Sequence, residues 1–199
     1  MKLLRNLAPL LAAAALCGCS LSGLMGGGGK PPTTLQTLTS EAADPGNTAR
    51  TAAAGQAVTI ATPLIDNELR TVRVPVQLSP TDIQYVTNLQ WVDTPDKLFQ
   101  NLLEVTVRRT TNRVVLDPNQ SGVDPGMTLQ GELERFGYDA RTGQVVVAYN
   151  GTLAGPGGAV QTRRFEASVP ADGTGASVGP ALNRAANQVA QQVAQWIGG

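Results

Sequence analysis

Few residues in this 199-residue chain could carry chemistry. Histidine is absent, and the two cysteines, Cys17 and Cys19, stand one residue apart. Two thiols with no imidazole make a poor metal site. A disulfide across a single residue would close a strained small ring. Without histidine, Ser-His-Asp triads and the common His-containing zinc sites are excluded. Carboxylates such as Asp82, Asp93, Asp96, Glu104, Glu132 and Glu166 are scattered, and no spacing among them calls for acid–base work. "DPNQSGVD" places Asp117, Asn119 and Asp124 in one loop but lacks the spacing and closing Glu of an EF-hand, so it reads as a plain turn. "GPGG" at Gly155–Gly158 has no Lys-Ser/Thr after it and is not a P-loop. Serine–lysine chemistry would need Lys30, which is in the tether, or Lys97, which is on an outward helical turn. The expectation is a non-enzymatic protein with no metal and no cofactor.

The cysteines take their meaning from the elements around them. Lys2 and Arg5 precede an uncharged run from Asn6 to Gly18. Its apolar part is too short to span a bilayer comfortably and fits an export-signal core. Within it, Leu16-Cys17-Gly18-Cys19 resembles the bacterial lipobox, with an aliphatic residue three before the cysteine and a small one directly before it. Cys17 would need Ala14 and Leu16 in those places, a poorer match. The motif implies a diacylglycerol thioether on Cys19, cleavage after Gly18 and acylation of the new N-terminus, with Cys17 leaving in signal peptide 1–18. Several acyl chains anchor a protein stably where one alone is marginal. Ser20 follows the acylated cysteine, and a non-Asp residue there goes with outer-membrane sorting in many Gram-negative lipoproteins. Without Lys2 and Arg5 the 15 basic residues fall to 13 against 15 acidic, a net charge of about −2. That gives no support for nucleic-acid binding.

Residues 19–56 read as the lipidated cysteine and a tether. Gly26–Gly29 lend flexibility and Pro31-Pro32 local stiffness, for an r.m.s. reach of roughly 30 Å. Thr33–Ser40, "TTLQTLTS", is a candidate first edge strand. Residues 57–199 read as one domain. "AVTIATPLI" predicts a strand. "ELRTVRVPVQL" alternates through Val72, Val74 and Val76, and Pro75 inside it argues for an edge strand or a chain merely crossing the domain. Thr94, Pro95 and Asp96 open a helix with a stripe of Leu98, Leu102 and Val105, widened by Phe99 and Leu103. "RVVLD" is a short strand. "MTLQGELERFGY" alternates but changes parity between Leu133 and Phe136, which predicts a bulge near Glu134–Arg135. "DARTGQ" is a hairpin loop, and "VVVAYNGTL" and "QTRRFEASV" complete an antiparallel meander.

The C-terminal segment predicts a second helix, with Leu182, Ala186, Val189, Val193 and Trp196 or Ile197 at helical spacing. Its other face is almost uncharged: Asn183, Asn187, Gln188, Gln191, Gln192 and Gln195, against Arg184 alone. Solvated helix faces usually carry Lys and Glu. The alternatives are composition bias or packing against another protein or another copy of the chain. The fold class expected is α/β: a two-layer sandwich with a mostly antiparallel sheet of about four or five strands, covered on one face by two helices.

Arg73, Tyr85, Trp91, the segment Asp93-Thr94-Pro95 and the amphipathic helix Leu98–Val107 occur in an order that resembles the ABC-type transport auxiliary lipoprotein family, the group that includes PqiC-type lipoproteins. "RVVLD", the strand near Leu129, a later hairpin and a final helix rich in small residues continue the likeness, roughly from Val58 to Ile197. The family's usual tyrosine-bearing strand after the cysteine is absent as such, and "TLQTLTS" stands in its place. The resemblance implies an accessory role beside an ABC permease and ATPase and an MCE-domain protein, in systems thought to move hydrophobic molecules between the inner and outer membranes. It implies a lipid anchor on a membrane, expected at the periplasmic face of the outer membrane. A homo-oligomer is a further possibility. Arg73, Tyr85 and Trp91 are the candidate partner or lipid contacts. Core packing for the two aromatics, and a pairing of Arg73 with Asp82 or Asp93, are the alternatives. Other functional readings are an envelope scaffold acting on peptidoglycan machinery and a direct lipid carrier with an enclosed apolar cavity.

Overall fold

One long strand, β6 (Gly126–Asp139), organises the sheet. The computed structural model describes residues 34–46, 49–53, 55–118 and 124–198, which fall within the unit Pro32–Gly199. The signal segment, Cys19 and the glycine run lie outside the described residues. One edge of β6 pairs antiparallel with β7 (Gln144–Ala154), and β7 pairs antiparallel with β8 (Val160–Pro170). The other edge is shared in turn by three parallel partners. β1 (Ala57–Ile60) faces Gly126–Leu129, β2 (Leu64–Ile65) faces Glu132–Leu133, and β3 (Arg73–Gln77) faces Tyr138–Asp139. β4 (Ile83–Gln90) pairs antiparallel with β3, and β5 (Val115–Leu116) pairs parallel with β1.

The sheet therefore has eight strands and is mixed, where four or five mostly antiparallel strands were expected. Two physical facts account for the difference. β2 and β5 are two residues long, too short to show a period. The parallel pairings join segments far apart in sequence, which no local turn announces. Pro75 is also not at an edge, because β3 lies between β4 and β6. The strand tolerates it because the β3–β4 register breaks between Arg73 and Pro75 and the β6 pairing begins only at Val76. On its other side lies Gly137, where a Cβ would come within 2.6 Å of the Pro75 carbonyl oxygen. The β6 bulge falls where the parity change predicts it, between Leu133 and Arg135. The meander β6–β7–β8 forms as expected, with Gly143 (φ 67°) closing its first hairpin.

Two helices cover one face: α1 (Pro95–Thr110) and α2 (Gly175–Gly198). α1 opens at Thr94 with Pro95 in its first turn, but the Thr94 side chain caps nothing. Instead the Thr94 N–H donates to the Asp93 carboxylate at 2.7 Å. Leu98, Phe99, Leu102, Leu103 and Val107 of α1 meet Leu182, Ala186, Val189 and Val193 of α2 in one buried core over the sheet. Three tilted aromatic pairs tie the elements together. Phe99 of α1 meets Tyr149 of β7 at 5.4 Å, Trp196 of α2 meets Phe165 of β8 at 5.4 Å, and Trp91 after β4 meets Phe136 of β6 at 5.6 Å. Such pairs add about 0.5–1.5 kcal/mol each beyond their area burial.

Tyr149 needs room that two facing glycines provide. Gly131 and Gly151 are register partners, and a Cβ at Gly131 would lie 2.6 Å from the Tyr149 hydroxyl. That hydroxyl is buried with no hydrogen-bond partner, and burial pushes the phenol well above its usual range. An unmade buried hydrogen bond costs about 1–3 kcal/mol. Tyr149→Phe is therefore expected to leave stability unchanged or raise it by about 1 kcal/mol, read as an unchanged or higher urea midpoint. A clear fall would mean that the hydroxyl has an acceptor.

Asp139 ends β6 almost fully buried at the hairpin. It accepts bonds from Arg141 N–H (3.0 Å), Arg141 Nη2 (3.2 Å) and Arg135 Nη2 (3.1 Å). Arg141 first, and Arg135 after it, hold the carboxyl below its usual range against the opposing effect of desolvation. Its stabilisation is thus complete above the unfolded carboxyl value of about 3.9 and is lost as pH falls through the lower folded value. Asp139→Asn is expected to lower stability at neutral pH and to flatten the fall in stability between about pH 4 and 2, measured by urea titration across that range.

Candidate functional site

The candidate contact residues do not share one environment. β4 carries a local irregularity: Asn88 has φ 57°, and the strand holds extra residues between the pairs Arg73–Gln90 and Pro75–Tyr85. This changes the parity of the strand. Val86, Leu89 and Trp91 turn into the core, while Tyr85 stays on the half-buried side. Trp91 is 1% exposed, so its indole packs on Phe136 and does not face a partner or lipid. In a regular strand Tyr85 and Trp91, six apart, would share a face.

Arg73 and Tyr85 are brought together. The guanidinium carbon lies 4.2 Å from the ring centroid, a cation–π contact. The Tyr85 hydroxyl donates to the Glu68 carbonyl at 3.4 Å. Burial, and then the nearby Asp66 charge, push the Glu68 carboxyl above its usual range. Arg73 does not take the carboxylates expected for it. Asp93 pairs with Lys97 at 3.2 Å, and Asp82 accepts from the Ser79 hydroxyl at 2.6 Å. The same β3–β4 hairpin exposes Leu78 and Ile83 near its tip. The resulting surface holds one aromatic, one cation and two aliphatic side chains on adjacent strands.

A second feature escaped the sequence reading. The expected tether includes residues that pack into the domain. Gln36 bridges the sheet beside Trp91, accepting from Val92 N–H at 2.9 Å and donating to the Gln90 carbonyl at 2.8 Å. Leu38 is buried in the core. The chain then crosses both helices. Asn187 of α2, 1% exposed, accepts from Glu41 N–H at 2.7 Å and donates to the Thr39 carbonyl at 2.9 Å. Asn183 accepts from Thr39 N–H at 2.9 Å. On the α1 side, Ser40 meets Thr106 at 3.2 Å, and Arg109 donates to the Ala42 carbonyl at 3.0 Å. Of the expected edge strand Thr33–Ser40, Thr33 lies outside the described residues, and the described residues 34–40 make a single bridge and no strand. This strap also explains part of the uncharged α2 face, since Asn183 and Asn187 are amides because they hold backbone. Gln188, Gln191, Gln192 and Gln195 remain exposed. Leu35 and Leu38 in a polar stretch were the available signal, and of the two only Leu38 is buried.

Among the described residues no group of three or more His, Cys, Asp or Glu is placed to hold a metal, and no helix is long and apolar enough to cross a membrane.

The model of the family described as ABC-type transport auxiliary lipoprotein component matches residues 37–194. The chain belongs to this family. The match begins inside the strap, so the segment is part of the family's domain. The fold is similar to the crystal structure of protein XCC0632 from Xanthomonas campestris, with TM-score 0.69 and 17% identity, covering 83% of this chain and 94% of that one. A second crystal structure, of an uncharacterized protein, gives TM-score 0.58 at 16% identity over 75% of this chain and 94% of that one. At such identities these likenesses show the fold. No curated relative matches the sequence. Membership makes the chain an auxiliary lipoprotein component of ABC-type transport, and so a protein of the cell envelope.

The strap gives a direct test. Asn187→Ala removes the two bonds from its side chain to the strap backbone, at an expected cost of about 1–3 kcal/mol. It should expose residues 36–44 to limited proteolysis before the rest of the domain is cut. Cleavage indistinguishable from wild type would show that the strap is held by something else.

Proposed function

We propose that this chain is a lipid-anchored accessory subunit that docks to and stabilises the MCE-domain component of an ABC-type lipid transport system between the inner and outer membranes. The single observation that carries this reading is the family match over residues 37–194 of a chain that also bears a lipobox at Leu16–Cys19. Lipid on Cys19 fixes one end at the periplasmic face of the outer membrane. The strap is anchored from Gln36 onward, so the tether read from the sequence is counted from Ser20 to Leu35. Its glycine-rich composition gives a reach of roughly 20 Å, shorter than a tether ending at Gln56 would allow. The ABC ATPase supplies the energy, and the domain supplies position.

The β3–β4 hairpin, with Arg73 over Tyr85 and Leu78 and Ile83 near its tip, is the surface assigned to the partner. Aromatic and arginine side chains with adjoining aliphatics suit a protein interface. The exposed Gln188, Gln191, Gln192 and Gln195 leave a second face on which copies of the chain could assemble. The reading as a lipid carrier draws less support, because the space between sheet and helices is filled by the packed core.

Cys19→Ser is expected to leave the precursor unlipidated, so that after removal of the signal the domain no longer sediments with membranes. Continued sedimentation without a residual signal helix would refute the anchor. In a pull-down from solubilised envelopes, Arg73→Ala with Tyr85→Ala should weaken recovery of the MCE protein at least tenfold while leaving the melting temperature within a few degrees. Unchanged recovery would remove the hairpin from the interface.

A further inference from the structure

A cleft of about 350 Å3 lies between the end of the strap at Asp44–Gly46, the C-terminal half of α1 and the approach to β5. Arg50, Arg108, Arg109 and Arg113 line it, over apolar side chains of Val105, Val114 and Val115. Four arginines along one cleft of a chain with a net charge near zero is a local excess. Two of them have carboxylate partners: Arg108 pairs with Glu104 at 2.7 Å, and Arg109 with Asp44 at 3.4 Å. Arg113 Nη1 donates to the Gln56 carbonyl at 3.4 Å, and no carboxylate among the described residues pairs with this guanidinium. Arg50 is half-buried, and its inner nitrogen, Nη1, has no acceptor among the described residues.

A guanidinium nitrogen removed from water with nothing to receive its hydrogens is costly. Arg108 and Arg109 stand in the last turn of α1, where cations answer the helix dipole and need no further explanation. Arg50 and Arg113 come from outside that helix and converge on the same cleft. Neither the dipole nor a carboxylate accounts for them. Their planar forks match the oxygens of a phosphate, which they can bind two at a time.

We propose that this cleft binds an organic phosphate, with Arg50 and Arg113 receiving the phosphate oxygens and the valine floor receiving an adjoining apolar group. Arg108 and Arg109 contribute field and wall the site. The ligand chemistry is a phosphate on a short hydrocarbon arm, as at the headgroup of a phospholipid, and a free phosphate would use only the guanidinium part. The site rests on its own cleft and does not depend on docking to an MCE protein.

The test is calorimetric titration of the purified full-length chain, held in phosphate-free dodecyl maltoside micelles, with butyl phosphate and separately with inorganic phosphate. No partner is present, so this result and the pull-down can fail independently. Butyl phosphate is expected to bind saturably, at least tenfold more tightly than inorganic phosphate. Arg50→Gln and Arg113→Gln should each weaken it at least fivefold, Arg50→Lys less so, and Arg184→Gln on the exposed side of α2 not at all. Equal affinity for the two probes would assign the site to free phosphate and overturn the apolar half of the proposal. No saturable binding of either probe, or binding indifferent to both Gln substitutions with wild-type melting temperatures, would overturn all of it.

Discussion

The edge-sharing of β6 is the constraint on which the rest of the structure depends. A 14-residue strand has more edge than any one of the short N-terminal strands can satisfy, and its backbone donors and acceptors must find partners where it is covered. β1, β2 and β3 meet this need in sequence, each pairing with a few residues of β6 and then yielding to the next. The chain from Ala57 to Gln77 is thereby drawn out along β6. That path places β4 beyond β3 and β5 beyond β1, and so fixes both flanks of the sheet. The bulge at Leu133–Arg135 lies between the β2 and β3 contacts. A bulge locally increases twist, so the strand bends where its partner changes.

The helical layer follows from the same arrangement. β7 is buried from Val145 to Tyr149 and carries the apolar surface on which α1 and α2 lie. The small residues Ala181, Ala185, Ala186, Ala190 and Ala194 of α2 let the helix sit close to its neighbours. Across the top of the two helices runs the strap, held through hydrogen bonds to its backbone by Asn183 and Asn187 and by Arg109. A chain crossing a helix pair has no sheet to satisfy its amides, so side chains must do it. The strap ends at the arginine-lined cleft, so the segment that closes over the helices also forms one wall of it.

Local patterns in the sequence were legible where neighbours in sequence are also neighbours in space. Both helices, the β6–β7–β8 meander, the bulge and the hairpin at Gly143 are of this kind, because period and turn chemistry act within a few residues. The strap was half legible: Leu38 is apolar among threonines, and the uncharged α2 face lacked an explanation. Its solution required bringing residues more than 140 positions apart together. Whether Trp91 packs in the core or faces outward was not legible, because nothing in "IQYVTNLQW" announces that Asn88 adopts a left-handed conformation and turns the following residues inward.

By itself the sequence determined the family, a lipobox at Cys19, two layers with two helices, and the absence of histidine chemistry. These depend on residue identity and short-range order. The tertiary structure alone decided the parallel pairings along β6, the burial of Trp91, the contact of Arg73 with Tyr85, the clamp on the strap and the convergence of Arg50 and Arg113. Each joins groups distant in sequence, and which of them meet is set by the total packing and hydrogen-bond balance of the fold, to which no short stretch of chain gives access.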